Sequence, residues 1–481
     1  MSPDTIGFAL LLLGVLLLVA KLIRVRWRLA QTLFIPSSII GGGIALILGP
    51  DVLGAIASWL GTDRFAEAGI FTEDIREVWS KLPGLLISVV FAGLFLGHRI
   101  PSAREAGRMA GPQIMFGLTL ASGQYVIGLL LALIVLGPVF GLPPLTGALI
   151  EIGFEGGHGT AAGLGDTFAD FGFPQGQDLA LGMATVGLLS GIILGIVLIN
   201  WGVRRNKTAE LKKSATPSVS QQMGIVEREN RRSAATLTVH PSSIEPLALH
   251  FGLLAIAVIV GQVILSAMQW VEQLFWADTI ELFKYVPLFP IAMIGGIIVQ
   301  AVIDRFDRHQ VVDQQMIERI QGFSLDMLII SALGTLSLQV LADNFMPFLL
   351  LVVCGLAWSV GAFLFLAPRM LPDYWFERGI GDFGQSMGVT ATGLILMRIA
   401  DPELRTPAYP AFGYKQLALE PFFGGGLVTA AAIPLIVAFG PMPMLVFMAV
   451  LLAVSLAFGL MVFGRRRGAP EAPAPAASTD H

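Results

Sequence analysis

Two stretches of this chain set acids, amides and hydroxyls among clustered glycines inside otherwise apolar sequence. The first reads Glu151-Ile-Gly-Phe-Glu155-Gly156-Gly157-His158-Gly159-Thr160-Ala-Ala-Gly163. Its glycines permit unusual backbone dihedrals. An unwound segment there offers carbonyl oxygens to a cation and helix N-terminal amides to an anion. The second, Gly381-Asp382-Phe-Gly384-Gln385-Ser386-Met-Gly388-Val-Thr390-Ala-Thr392-Gly393, brings a carboxylate, an amide and three hydroxyls. An ionisable group in such a setting is costly, which makes each segment a functional-site candidate. Taken singly, Glu151, Glu155 and Asp382 fit a plainer role at least as well: lining a wet mouth or hydrogen-bonding one half to the other. Glu151, Glu155 and His158 follow an i, i+4, i+7 spacing that would share one face of a continuous helix. That face could mimic a metal site, but the glycine pair interrupts the helix and no established zinc motif is matched. A metal-dependent intramembrane enzyme is therefore the minor reading, and no transition metal is expected. Asp326 is a further acid that either faces a transport cavity or makes an interhelical contact. Glu420 reads as interfacial.

The elements that must position these residues follow from composition. Of 481 residues, 55% are hydrophobic and 13% charged, against about a quarter charged in soluble domains. Mean hydropathy is +0.76. The chain has 55 glycines, and the combination excludes an ordinary soluble enzyme in favour of a polytopic membrane protein whose helices approach through small residues. The balance of 30 basic and 34 acidic residues argues against a nucleic-acid binder. The single cysteine, Cys354, lies in an apolar run and reads as a small buried hydrophobe.

At about 20 apolar residues per crossing, the chain predicts about eleven transmembrane helices. The predicted spans lie near Thr5–Ile23, Leu33–Gly49, Leu82–Gly97, Gln113–Leu136 and Asp178–Trp201, then Leu247–Trp270, Pro287–Ile303, Gly322–Leu341, Phe345–Leu366, Leu417–Phe439 and Met442–Phe463. The N-terminal run lacks a basic leader, is followed by Lys21 and Arg24, and reads as a retained first helix. Residues 142–165 and 376–397 make poor lipid-facing helices and suit re-entrant segments that line a cavity. Gly187, Gly191 and Gly195 form a small face for close helix packing. Trp59, Trp79, Trp201, Trp270 and Trp276 read as an aromatic belt.

With the N-terminus outside, all but Arg64, Arg76, Lys81 and Lys284 of the 30 Lys and Arg residues fall on the cytoplasmic side. Residues 202–246 read as a cytoplasmic linker and 468–481 as a disordered tail. Residues 1–201 and 247–440 repeat one plan of five spans plus one re-entrant hairpin, and 441–467 add a C-terminal helix. Pro36 leads to Gly41-Gly42 as Pro290 leads to Gly295-Gly296, and Thr160-Ala161-Ala162-Gly163 has a counterpart in Thr390-Ala391-Thr392-Gly393. An odd number of crossings inverts the second half, the plan of secondary transporters.

The chain resembles the sodium/glutamate symporter family of bacterial inner membranes. The matching strings are Ile35-Pro36 into Gly41-Gly42-Gly43, then Gly156-Gly157-His158-Gly159-Thr160-Ala161, Ser324-Leu325, and more weakly Phe383-Gly384 through Gly388, Thr390 and Ala391. The resemblance spans roughly residues 5–440 and implies a sodium-coupled homodimer in which a unit carrying two hairpins moves against a scaffold. It implies a substrate site at Glu155, Gly156, Gly157, His158, Gly159, Thr160, Gln385, Ser386, Thr390 and Thr392. It implies sodium as coupling ion and no organic cofactor, and the chain's own acids and hydroxyls offer candidate cation ligands at Glu151, Thr160, Asp382, Thr390 and Asp326. Where the family's first hairpin carries small hydroxyl residues this chain has Glu151 and Glu155, and Asp382 is a further added acid. Residues 414–426 and the last span also depart from the best-known members. Extra carboxylates open three alternatives: proton coupling, a different number of sodium ions, or a cationic or neutral substrate. A sensor or scaffold acting through the linker is a further alternative.

Overall fold

The computed structural model describes residues 2–62, 65, 67–97, 103–209, 223–231, 233–275, 283, 286–402 and 405–464. The expected tail, residues 210–222 and 232 of the linker, Arg64, Lys284 and Trp276 lie outside the described residues. Among the described residues the chain is helical and holds no strand.

The first helices are α1 (Pro3–Arg26), α2 (Ser37–Ile47), α3 (Glu73–Ala92) and α4 (Ala103–Leu131). Two short pieces follow, α5 (Leu149–Phe154) and α6 (Gly157–Gly163), then the long α7 (Gln175–Arg204). Beyond the linker come α8 (Pro246–Phe275), α9 (Leu288–Phe306), α10 (Gln314–Gly334) and α11 (Phe345–Gly361). The chain ends with α12 (Trp375–Ala400), α13 (Ala408–Leu419), α14 (Leu427–Phe439) and α15 (Pro441–Phe458). Local chemistry sets several starts. The Ser2 hydroxyl accepts from the Thr5 amide ahead of Pro3, and Asp313 accepts from the Met316 amide at the head of α10.

Eight helices among the described residues are long and apolar enough to cross a membrane. They coincide with eight of the expected spans. The expected third and eighth spans fall on α3 and α10, helices of 20 and 21 residues whose N-terminal turns are polar. The expected tenth span, Leu417–Phe439, is not one helix. Gly424 and Gly425 take left-handed dihedrals and split it into the end of α13 and the 13-residue α14. Apolar side chains such as Leu11, Leu18, Ile259, Val263, Val450 and Val454 stand exposed on α1, α8 and α15, as a lipid-facing surface requires. This is a multi-pass membrane protein.

The helices form two groups, each built from both halves of the chain. In the first, α2 lies between α1 and α10, α9 lies between α8 and α3, and α3 packs on α10. Glycines permit this closeness. A Cβ at Gly296 would strike the backbone of Ala92, and one at Gly42 would strike the Leu333 side chain. The second group surrounds α7, which packs on α5, α6 and α12. The Gly187-Gly191-Gly195 face of α7 is filled from within the chain, by Phe154, Met387 and Leu396. Trp79 leaves the expected aromatic belt. It is fully buried, and its indole N–H donates to the Ala9 carbonyl at 3.0 Å.

Candidate functional site

Both glycine-rich segments contain real interruptions. In the first, α5 ends at Phe154 and α6 restarts at Gly157, whose φ of +69° suits glycine. In the second, α12 is broken at Gly388 (φ −162°, ψ 46°) and Val389 (φ 61°, ψ 174°). A β-branched residue there is strained, by about 1–3 kcal/mol. The two breaks touch: a Cβ at Gly157 would overlap Val389 Cγ1. Side by side, the two interruptions free backbone groups at one place inside the protein.

Beside this contact lies a cavity of about 370 Å³. One wall is the pair of breaks, with Glu155 to Gly159, Gln385, and Gly388 to Ala391. The opposite wall comes from the first helix group, with Ile87, Val90 and Phe91 of α3 and Glu318, Gln321 and Leu325 of α10. Glu420, Phe423 and Gly424, from the split between α13 and α14, close a third side. The cavity therefore sits at the seam between the two helix groups. Among the described residues that line it, the carboxylates are Glu155, Glu318 and Glu420 and none is Lys or Arg.

The expected site residues separate into three sets. Glu155, Gly156, Gly157, His158, Gly159, Gln385 and Thr390 line the cavity. Thr160, Glu151 and Asp382 lie behind it. Thr160 faces the Gly424–Gly425 turn, its hydroxyl 3.5 Å from the Gly424 carbonyl. Glu151 is fully buried and takes three hydrogen bonds, from Tyr125 Oη (2.7 Å), Thr429 Oγ1 (2.7 Å) and the Gly424 amide (2.9 Å). It pins the first break to the α13–α14 turn, with three of its roughly four acceptor positions taken by protein donors. Ser386, Thr392 and Asp326 do not line the cavity. Ser386 and Thr392 donate to backbone carbonyls of their own helix, Phe383 and Gly388. Asp326 is exposed on α10, which packs on α2.

His158 is held against α7, its Nε2 3.0 Å from Thr185 Oγ1. The Thr185 hydroxyl donates to the Leu181 carbonyl, so its oxygen accepts from Nε2–H and the tautomer is set. Glu151, Glu155 and His158 thus turn to different partners, and their shared spacing does not converge. Glu155 meets Gln385 Nε2 at 3.4 Å, while its Oε2 is buried with no hydrogen-bond partner.

Two cations escape the sequence reading. Lys415 and Arg378 were expected among the cytoplasmic charges, yet both are buried, at 1% and 5% exposure. Lys415 Nζ lies 3.2 Å from Asp382 Oδ1 and bonds to Gln385 Oε1. Arg378 pairs with Asp373 at 3.1 Å. Glu420, expected at an interface, lines the cavity instead. The available signal was Gly424-Gly425-Gly426, a triplet that marks a third break soon after Lys415 and Glu420.

The chain matches the family model described as sodium/glutamate symporter over residues 5–399. It is 26% identical over 331 residues to the sodium/glutamate symporter of Escherichia coli (strain K12), covering 68% of this chain and 75% of that protein. It is 23% identical over 407 residues to the sodium/glutamate symporter of Haemophilus influenzae, covering 84% of this chain and 90% of that one.

Proposed function

Because the chain belongs to the sodium/glutamate symporter family, we propose that it is a secondary transporter coupling sodium entry to uptake of glutamate by alternating access. The observation that carries this reading is the meeting of two broken helices at a cavity on the seam between two helix groups. A seam site can be exposed to either side of a membrane if one group moves against the other. In this reading α4 to α7 and α11 to α15 move, while α1 to α3 and α8 to α10 form the scaffold of a homodimer in the bacterial inner membrane. Residues 1–201 and 247–440 are the two inverted repeats. Their support is the reciprocal packing of α2 between α1 and α10 and of α9 between α8 and α3. The N-terminus lies outside, with the linker and C-terminus cytoplasmic.

Sodium is held at carbonyls of the breaks and at Thr390 and Glu155, and substrate at Gly156–Gly159, Gln385 and the amides opened by the breaks. Each ligand orders the segments the other needs, so each raises the other's affinity. Uptake of labelled L-glutamate into proteoliposomes under an inward sodium gradient tests this directly. Loss of uptake when choline replaces sodium is the expected result. Gradient-independent or absent uptake would refute it.

One observation favours a second reading. Among the described residues the cavity is lined by three carboxylates and no basic side chain, which disfavours a doubly carboxylated anion unless protons or cations enter with it. A proton-coupled carrier of another organic acid or amino acid fits that lining. Counterflow with unlabelled competitors, run with and without sodium, separates the two.

A further inference from the structure

The family match ends at residue 399, before the segment that delivers a cation to the back of the site. Lys415 on α13 is 1% exposed and its partner Asp382 is equally buried. The Lys415 ammonium lies 3.2 Å from Asp382 Oδ1, bonds to Gln385 Oε1, and lies 2.9 Å from Gln416 Oε1. Its stem runs past α4 at Gly117, where a Cβ would lie 2.5 Å from Lys415 Cε. Its charge also stands 5.1 Å from the Phe412 ring centroid. One carboxylate and two amide oxygens make an all-oxygen shell, the donor set of a hard cation. A buried carboxylate left unpaired is strongly destabilising unless it takes up a proton, and here the Lys415 ammonium supplies the pairing charge.

Lys415 is absent from the cavity lining. Its hydrogen-bonding capacity is turned toward protein oxygens and away from the space a substrate would enter. Glu155 offers the contrast: it lines the cavity, and its Oε2 has no hydrogen-bond partner. Gln385 joins the two acids, its Oε1 toward Lys415 and its Nε2 toward Glu155.

We propose that Lys415 is a tethered cation: its ammonium fills, at Asp382, a position that a soluble sodium ion would otherwise occupy. Glu155 is left to hold a cation that exchanges with water. The inference rests on the sodium-coupled reading above. A tethered charge returns with the empty transporter and adds nothing to the net charge moved per cycle, whereas a soluble ion in its place would be carried across.

The test uses the purified full chain, with sodium chloride varied against choline chloride at constant ionic strength. In Lys415→Gln the Asp382 position is open to a sodium ion from solution. The sodium-activation slope of L-glutamate uptake is expected to rise by about one ion, and the charge moved per glutamate by about one. Asp382→Asn/Lys415→Gln removes the need for any cation there and returns both quantities to wild-type values. Binding reads the same contrast without turnover. Sodium-dependent thermal stabilisation in detergent steepens in Lys415→Gln and relaxes in the double variant. A Lys415→Gln protein with the wild-type sodium slope in both assays overturns the proposal, as does a double variant as steep as the single one. If Lys415→Gln does not fold, the double variant decides: a wild-type slope supports the proposal and any other slope overturns it. A wild-type protein that takes up no glutamate under a sodium gradient refutes the functional reading instead. The sodium titration of thermal stability still judges Lys415 in that case.

Discussion

The two helix breaks face each other but are built on opposite principles. The first is conformationally relaxed and heavily tied. Gly157 takes its positive φ at no steric cost, Glu151 is fastened by Tyr125, Thr429 and the Gly424 amide, and His158 is fastened by Thr185. The second separates the two helical stretches of α12, and its turning point is Val389, a β-branched residue at φ 61°. Its side chain fills the gap left by the missing Cβ of Gly157. One break is fixed by its partners, and the other holds local strain opposite it. Strain persists only where surrounding structure determines it; within the moving unit proposed above, we take the first break as anchor and the second as the part that shifts against it.

The largest effect is expected from Gly157→Ala. The new Cβ meets Val389 Cγ1 and occupies a left-handed backbone position, two penalties at once. Uptake per folded molecule should fall by roughly a hundredfold, with stability lower by about 1–3 kcal/mol. Proteoliposome uptake normalised to protein content, with a thermal unfolding scan, measures both. Wild-type uptake would show that the two breaks do not need their close contact. Next comes Glu151→Gln, which replaces one acceptor oxygen with a donor and leaves at least one of three buried donors unpaired. A loss of about 1–3 kcal/mol is expected. Tyr125→Phe removes one of those donors and should recover part of the loss in combination. Independent, additive losses would mean that Glu151 is not the anchor.

Much of this arrangement was legible before any coordinates. Runs of apolar residues set the membrane class, and eight of the expected spans coincide with the eight long apolar helices. The glycine clusters at 156–159 and 384–393 marked both interruptions, although only Gly157 takes a positive φ that favours glycine and the second break turns at Val389. What was not legible involves residues whose meaning depends on distant partners. Lys415 looks like one more basic residue beside a membrane, and only the packing of α13 on α4 and α12 shows that it is enclosed. The span drawn through Leu417–Phe439 failed because hydropathy does not register three consecutive glycines as a turn. Glu151 and Glu155, four residues apart, differ as anchor and cavity wall only through Tyr125, Thr429 and Gln385, none of which is their neighbour in sequence.

The anchor can be weakened more gently at His158. Thr185→Val keeps side-chain volume while removing the oxygen that accepts from Nε2, and should cost about 1 kcal/mol. His158→Ala should reduce uptake more than Thr185→Val, because the imidazole also lines the cavity. Equal effects would reduce His158 to a packing role.

The smallest expected change, and the sharpest test of the contrast, is Val389→Gly. Glycine relieves the positive-φ strain, worth about 1–3 kcal/mol, but adds about 0.5–1 kcal/mol of backbone entropy cost on folding. It also removes the side chain that fills the space opposite Gly157. These terms oppose one another, so net stability should shift by less than about 1 kcal/mol. The transport cycle should respond differently. A relaxed second break loses its bias toward one backbone state, so half-saturating substrate should rise while maximal uptake is largely kept. If Val389→Gly instead abolishes uptake as Gly157→Ala is expected to, the two breaks are equally rigid and the division into anchor and moving part fails.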